Sequence, residues 1–278
     1  MLLRTPTTLV DSGGSYTLQL QQEVAKILFH FTFAADQVAD LPALFDFLRA
    51  IKVNASLWRD GSRTTLYDGS SLLAIQELQT EGEGVLPVTP DATSILSVTA
   101  AIDLGSGGAI DLPGDAQFDI TLTGIDSALT GTVAPYAIQS PIVSTSVPEV
   151  VTITIQSDTR SETHGISAYS LIAVPLIGFN RLTLNYTNGR DQDLSPTDLQ
   201  MIHASTNDLL TVSVDPAFPG MAVANADHAV IGTEFVKSIT VQKDEGSPFR
   251  IQVLRDMPVS NGVAASAQNS SLTLSAQN

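Results

Sequence analysis

Cysteine is absent from all 278 residues. That removes disulfides, thiolate zinc sites and cysteine nucleophiles. Charge is sparse too: Asp, Glu, Lys and Arg make up 15% of the chain, against about 25% in an ordinary globular domain. Positive charge is the scarcer sign, with 13 Lys and Arg against 29 Asp and Glu and a net charge of −16. Such a surface repels phosphate, and no run of Lys and Arg could track a nucleic-acid backbone, so no direct nucleic-acid partner is expected. Aromatic residues are 6%, with one tryptophan, Trp58. That leaves few platforms for stacking sugars, and Trp58 is expected in the core or at an interface. No window approaches 18 consecutive apolar residues, so no membrane-spanning helix is expected. The opening Met1-Leu-Leu-Arg-Thr-Pro has no apolar stretch or cleavage signature of a leader.

Catalytic patterns are missing as well. The four histidines, His30, His164, His203 and His228, show neither i, i+4 ligand spacing nor an H-E-x-x-H pattern. Each reads as a surface or packing residue. Gly165-Ile-Ser-Ala-Tyr lacks the second glycine of a nucleophile elbow. Phosphate-cradling glycine motifs are absent, and Gly105-Ser-Gly-Gly reads as a flexible loop. Asp191 with Asp193, and Asp111 with Asp115, are loop acids of the kind that ligate Ca²⁺, but solvated acidic loops are commoner. No catalytic, cofactor-binding or metal residue is assigned, no cofactor is expected, and the chain does not read as an enzyme.

What the chain does have is alternation. Apolar residues reach 43%, enough for two cores in 278 residues. Exposed positions are finished with Ser, Thr, Asn and Gln, which suits strands. Strand patterns cover Ser15–Gln21, Ala25–Phe33, Val53–Arg59, Ser94–Ile102 and Ala116–Thr123. Ile27, Phe29, Phe31 and Phe33 share one face of the second, with His30 opposite. Helical spacing of Leu41, Leu44, Phe45 and Leu48 points to a short helix near Asp40–Ile51, with Pro42 in its first turn, the alternative being an irregular stretch. A second short helix is predicted over Asp68–Leu78, capped by Ser70 or Ser71, with Leu72, Ile75 and Leu78 inward. The polar stretch Gln139–Pro148 reads as a linker. Beyond it, strands are expected at Glu149–Gln156, Ser167–Ile177, Arg181–Tyr186, Asp208–Val214, Phe235–Val241 and Phe249–Leu254. The tail beyond Pro258 is rich in Ser, Ala, Asn and Gln, with one weak strand-like patch at Leu272-Thr-Leu, and reads as disordered or as an extended arm.

An internal repeat links the halves. Ala55-Ser-Leu-Trp-Arg-Asp-Gly61, Leu66 and Ser70-Ser-Leu72-Leu-Ala-Ile75 match Leu182-Thr-Leu-Asn-Tyr-Thr-Asn-Gly189, Leu194 and Pro196-Thr-Asp-Leu199-Gln-Met-Ile202. The unit is a strand, a glycine turn, a loop and a short capped helix. Its offset is close to half the chain, as a tandem duplication requires.

Taken together, the chain reads as all-β: two tandem jelly-roll β-sandwiches, a double β-barrel, each with a short helix. Residues 1–143 would form the first barrel, 144–257 the second, and 258–278 a low-complexity tail. The repeated strand–glycine–helix units and the overall length resemble the double jelly-roll major capsid proteins of tailless icosahedral viruses and phages, many of which carry an internal membrane. The likeness spans roughly residues 12–257. It implies a structural coat protein located in the virion. It also implies self-association as a homotrimer, with a pseudo-hexagonal outline that tiles the shell. Its partners would be neighbouring capsomers and other virion proteins, with an internal membrane close by. Many members carry a basic or amphipathic N-terminal segment, whereas here Arg4 is the one basic residue before Lys26. That departure argues against an arm that grips nucleic acid. The competing class is a viral spike, an adhesin or a carbohydrate-binding tandem sandwich.

Overall fold

The computed structural model describes residues 2–4, 14–21, 23–34, 37–81, 85–86, 88–90, 94–105, 107–110, 112, 114–126, 133–138, 140, 142–206, 222–223 and 228–258. The strands expected at Asp208–Val214 and Leu272–Leu274 lie outside these residues. In the first part of the chain the elements are β1 (Leu2–Arg4), β2 (Ser15–Leu20), β3 (Lys26–Thr32), α1 (Leu41–Ala50), β4 (Lys52–Arg59), β5 (Ser62–Ser71) and α2 (Leu72–Gln79). They continue with β6 (Val85–Leu86), β7 (Val88–Pro90), β8 (Ile95–Asp103), β9 (Gln117–Thr123) and β10 (Val133–Ile138). The second part holds β11 (Ser146–Ile155), β12 (Ser161–Gly165), β13 (Leu171–Pro175), β14 (Arg181–Tyr186), β15 (Asp191–Leu194) and α3 (Pro196–Thr206). It ends with β16 (Ala222–Val223), β17 (His228–Gly232), β18 (Val236–Gln242) and β19 (Phe249–Pro258).

Strand order shows the duplication directly. One sheet runs β1-β10-β3-β8-β7, and a four-stranded sheet runs β12-β18-β14-β15. An eight-stranded sheet, β17-β13-β19-β11-β5-β4-β9-β2, belongs to both halves. Replacing β1, β10, β3 and β8 by β11, β19, β13 and β17 reproduces the first order. Replacing β5, β4, β9 and β2 by β15, β14, β18 and β12 reproduces the other. Apart from β7, an added strand on the edge of β8, each half is therefore the same pair of facing four-stranded layers. Side chains repeat the match: the outward pair Thr17–Thr121 bonds across β2 and β9 at 3.0 Å, and Thr163–Thr240 across β12 and β18 at 2.8 Å.

Two cores fill the two sandwiches. The first gathers Ile27, Phe29 and Phe31 of β3, Phe118, Ile120 and Leu122 of β9, and Leu44 and Leu48 of α1. The second gathers Ile172, Val174, Leu182, Leu184, Ile239 and Val241. Alternation places each set on one face, and removing side chains of this size from water stabilises by about 1.5–3 kcal/mol apiece. The α1 helix starts where Asp40 caps it, with Oδ1 accepting from the Ala43 N–H at 2.9 Å, and Pro42 occupies its first turn.

The repeat residues behave alike. Gly61 and Gly189 both sit at turns with positive φ, +72° and +79°. Leu66, Leu194, Leu72, Leu199 and Ile75 are buried, and Ile202 is partly buried. Three expectations are corrected. Asp68–Ser71 is strand, not helix, because it continues β5 against Lys52 and Val53 of β4. The linker ends sooner than expected, since Ser146, Val147 and Pro148 already pair with Pro258, Met257 and Asp256. Gly105 and Gly108 are points of close approach rather than of slack. A Cβ on Gly108 would lie 2.5 Å from the Ile142 carbonyl oxygen, and one on Gly105 would lie 2.8 Å from the Ser144 Cβ. There the linker is tied down: the Ala109 N–H donates to Ile142 O at 2.6 Å, and the Ser144 N–H donates to Ala109 O at 2.7 Å.

Gly124 combines two constraints, a φ of +76° and a Cβ position 2.3 Å from the Ala50 carbonyl oxygen. Gly124→Ala is expected to lower the unfolding free energy by about 2 kcal/mol or more, and Gly61→Ala, with open space around it, by about 1 kcal/mol. Urea midpoints of the two variants check the order.

Candidate functional site at the seam between the barrels

The feature that sets this molecule apart from two beads on a string is helix α2. Its sequence, Leu72-Leu-Ala-Ile-Gln-Glu-Leu-Gln, is apolar nearly all round, and such a helix needs cover on every side. Every residue from Leu72 to Leu78 is buried. One side rests on its own barrel, beside α1 and β8, and the other meets β13, β17 and β19 of the second barrel. Ala173 and Val230 of that barrel join the first core through this contact.

Polar groups on α2 finish an exposed strand edge. Strand β7 covers β8 only over Ile95–Val98. Beyond that, Gln76 Oε1 accepts from the Ala101 N–H at 2.8 Å, and Gln79 Oε1 accepts from the Asp103 N–H at 2.8 Å. Gln79 Nε2 donates to Asp103 O at 3.0 Å and to the Tyr67 hydroxyl at 3.2 Å. The two glutamines thus replace a missing strand.

Beside the helix, β5 and β11 run parallel, with Tyr67 opposite Val150, and Ser70 Oγ donates to Val150 O at 3.3 Å. Glu77 has no solvent exposure, and its Oε2 lies 2.6 Å from His228 Nδ1 on β17. A carboxylate so enclosed is costly to leave alone, and the His228 imidazole is the ionisable group set against it. Burial, and then the charge of Asp103, push the Tyr67 phenol above its ordinary value, against a smaller lowering by Gln79.

An open cavity of about 630 Å³ lies on the same seam. Lys26, Gln79, Glu81 and Asp103 line it from the first barrel, and Leu171, Leu254 and Asp256 from the second. Lys26 Nζ sits 3.0 Å from Asp103 Oδ1. Among the described residues the lining holds no histidine.

The residues singled out by sequence are scattered. His30 points away from the core, as alternation requires, and its Nδ1 is 2.9 Å from Thr99 Oγ1. His164 pairs with Glu162 at 3.2 Å, and His203 is buried on α3. Asp191 and Asp193 lie on strand β15 rather than in a loop, because the Asn188–Gly189 turn is tight enough to start the return strand at once. Asp193 is engaged by Arg181 and by Thr183 Oγ1, the latter at 2.7 Å. Asp115 is exposed, and Asp111 lies outside the described residues. Among the described residues no three of His, Asp and Glu converge as a metal ion would need. Trp58 is not a core residue: it is 40% exposed, with the Arg63 guanidinium 5.6 Å from its ring centre. Sequence reasoning missed Gln76, Glu77, Gln79 and His228. The signal was available in α2, whose apolar residues cover more than one face and leave a glutamate no route to water.

Two facing four-stranded layers, repeated in tandem and fused through one sheet, define a double jelly roll. Among solved structures the chain is similar to the major capsid protein P2 of bacteriophage PM2. The identity is 12% and the TM-score 0.57, over 94% of this chain and 98% of that one. Weaker likenesses include the PBCV-1 virus capsid (9% identity, TM-score 0.45, 92% of each chain) and a Bacillus subtilis oxalate decarboxylase (9% identity, TM-score 0.23, 98% of this chain and 84% of that one). No protein-family model matches the chain, and no curated protein matches it.

Glu77→Ala strips His228 of its buried partner and should cost about 3 kcal/mol by urea unfolding. Tyr67 has a raised folded-state pKa, so its contribution is whole below the ordinary value of 10.0 and is lost as pH climbs above it. Tyr67→Phe should therefore be less stable at pH 8 but show a shallower decline than the parent between pH 10 and 11.

Proposed function

We propose that this chain is the major coat subunit of an icosahedral virion, acting by self-association and not by catalysis. The observation that carries the reading is the fused double barrel itself, matched along 98% of a phage major capsid protein with little of either chain left over. Residues 1–143 and 144–257 are the two building blocks, and 258–278 is an arm available to neighbouring subunits. Three copies, each with two like barrels, give six similar faces and a pseudo-hexagonal trimer that tiles a shell. Neighbouring capsomers and other virion proteins are its partners. With a net charge of −16, the shell keeps its distance from the genome, which suits an intervening protein layer or internal membrane. We assign the chain no catalytic residue, metal or cofactor.

Light scattering across a concentration series tests this. Three chains of 29.3 kDa give 87.9 kDa. A stable species at that mass, with hexagonal outlines by electron microscopy, is the expected result, and a monomer at all concentrations sinks the proposal in favour of a spike or adhesin. Deleting residues 259–278 should leave thermal unfolding unchanged and weaken assembly at least several-fold.

A further inference from the structure

The internal seam shows what the remaining free faces of the two barrels are shaped to meet. Within the chain, helix α2 of the first barrel packs on the outer face of β13 and β17 of the second. Each of these elements has a counterpart. Helix α3 repeats α2, so Leu73, Ala74 and Glu77 correspond to Gln200, Met201 and Ala204. Strands β3 and β8 repeat β13 and β17 with the same pairing: Ala173 opposite Val230 matches Leu28 opposite Ala101, and Pro175 opposite His228 matches His30 opposite Thr99.

The first set of faces is covered and the second is not. Leu73, Ala74, Glu77 and Ala173 are at most 1% exposed, and Val230 is 6% exposed. Met201 is 59% exposed, Gln200 and Ala204 are exposed, and Leu28, Thr99 and Ala101 are partly so. None of these six positions carries a formal charge; beside them, Lys26 and Asp103 on β3 and β8 offset each other at 3.0 Å, and Asp198 on α3 is turned back onto Ser195. In a chain of net charge −16, that lets two copies approach through them without like-charge repulsion.

We infer that the outer face of α3, at Gln200, Met201 and Ala204, docks on the outer face of β3 and β8 of a second copy, at Leu28, Thr99 and Ala101. The contact repeats between chains the one already made within the chain, and it deepens the self-assembly reading on which it rests. Ala204 meets Thr99 where Glu77 meets His228, a small residue replacing the buried acid. The contact is carried by the helix and not by strand pairing: β5 runs on through Tyr67–Ser71 to reach β11, whereas β15 stops at Leu194 and α3 begins at Pro196. Since the two surfaces differ, the interface is head-to-tail. Every copy offers one face of each kind, and the contact propagates round a ring.

The chain has no cysteine, so introduced thiols report cleanly. Ala204→Cys and Thr99→Cys are made singly and together, and treated with a bis-maleimide of short spacer. The double variant should give covalent oligomers on a denaturing gel. Mixed single variants should give a covalent dimer and nothing larger, and each single variant alone should stay at 29.3 kDa. Met201→Glu, with unchanged circular dichroism, should shift the light-scattering mass to that of the monomer. Dimers from one single variant alone would mean a symmetric contact and overturn the inference. Absence of cross-links in a protein that still scatters as an oligomer would place the interface elsewhere, defeating the inference while leaving self-assembly standing. A monomer in every measurement would defeat both.

Discussion

Helix α2 is held on all sides, and most of the architecture follows from that. An eight-residue helix is too short to be stable alone. Here its apolar surface is divided between two barrels, and its glutamines complete the edge of β8. The second barrel cannot leave without uncovering Leu73 and Ala74, separating Glu77 from His228 and opening the β5–β11 pairing. The two halves are thus one structural unit joined through a core and a sheet, not two domains on a tether. Ile142 and Ser144 of the linker reflect this, lying so close to Gly108 and Gly105 that a side chain there would strike them.

A jelly roll limits its exposed strand edges by closing layers on one another. In this chain the remaining edges are treated individually. The far part of β8 is covered by side-chain amides, and β5 is covered by β11. The outer edge of β15 carries Asp191 and Asp193, acids that discourage random strand addition. The result is an acidic body whose bare faces lie on α3, at Gln200, Met201 and Ala204, and on β3 and β8, at Leu28, Thr99 and Ala101.

Much of the fold was legible before any coordinates. The alternation in Lys26–Thr32, Gln117–Thr123 and Arg181–Tyr186 is a direct imprint of a strand with one wet and one dry face. The Leu41–Leu48 spacing is equally direct for α1. Strands β1, β5, β6, β7, β10, β15 and β16 were not read, and neither were β12 and β17. Ser161–Gly165 is almost wholly polar or small, and His228–Gly232 is short with both faces partly covered, so neither alternates. Asp68–Ser71 carries helix-capping residues and yet is strand, because pairing with β4 and the seam with β11 outweigh a local preference. The repeat itself was visible from Gly61, Leu66 and Leu72 against their partners near residues 189–199, although most of the remaining strands match in topology and not in residues.

By itself, the sequence determined what depends on near neighbours: strand or helix, inward or outward, turn or continuation, and the acidic, cysteine-free surface. These follow from periodicity and composition, which local geometry converts into structure almost without choice. Only the tertiary structure decided that β11 pairs with β5, that α2 and not α3 is enclosed, and that Glu77 finds His228 about 150 positions away. Those outcomes depend on which edges and faces meet across long stretches of chain. No short window of residues encodes such a meeting, because a helix apolar on two sides states that it needs a second partner without stating which one.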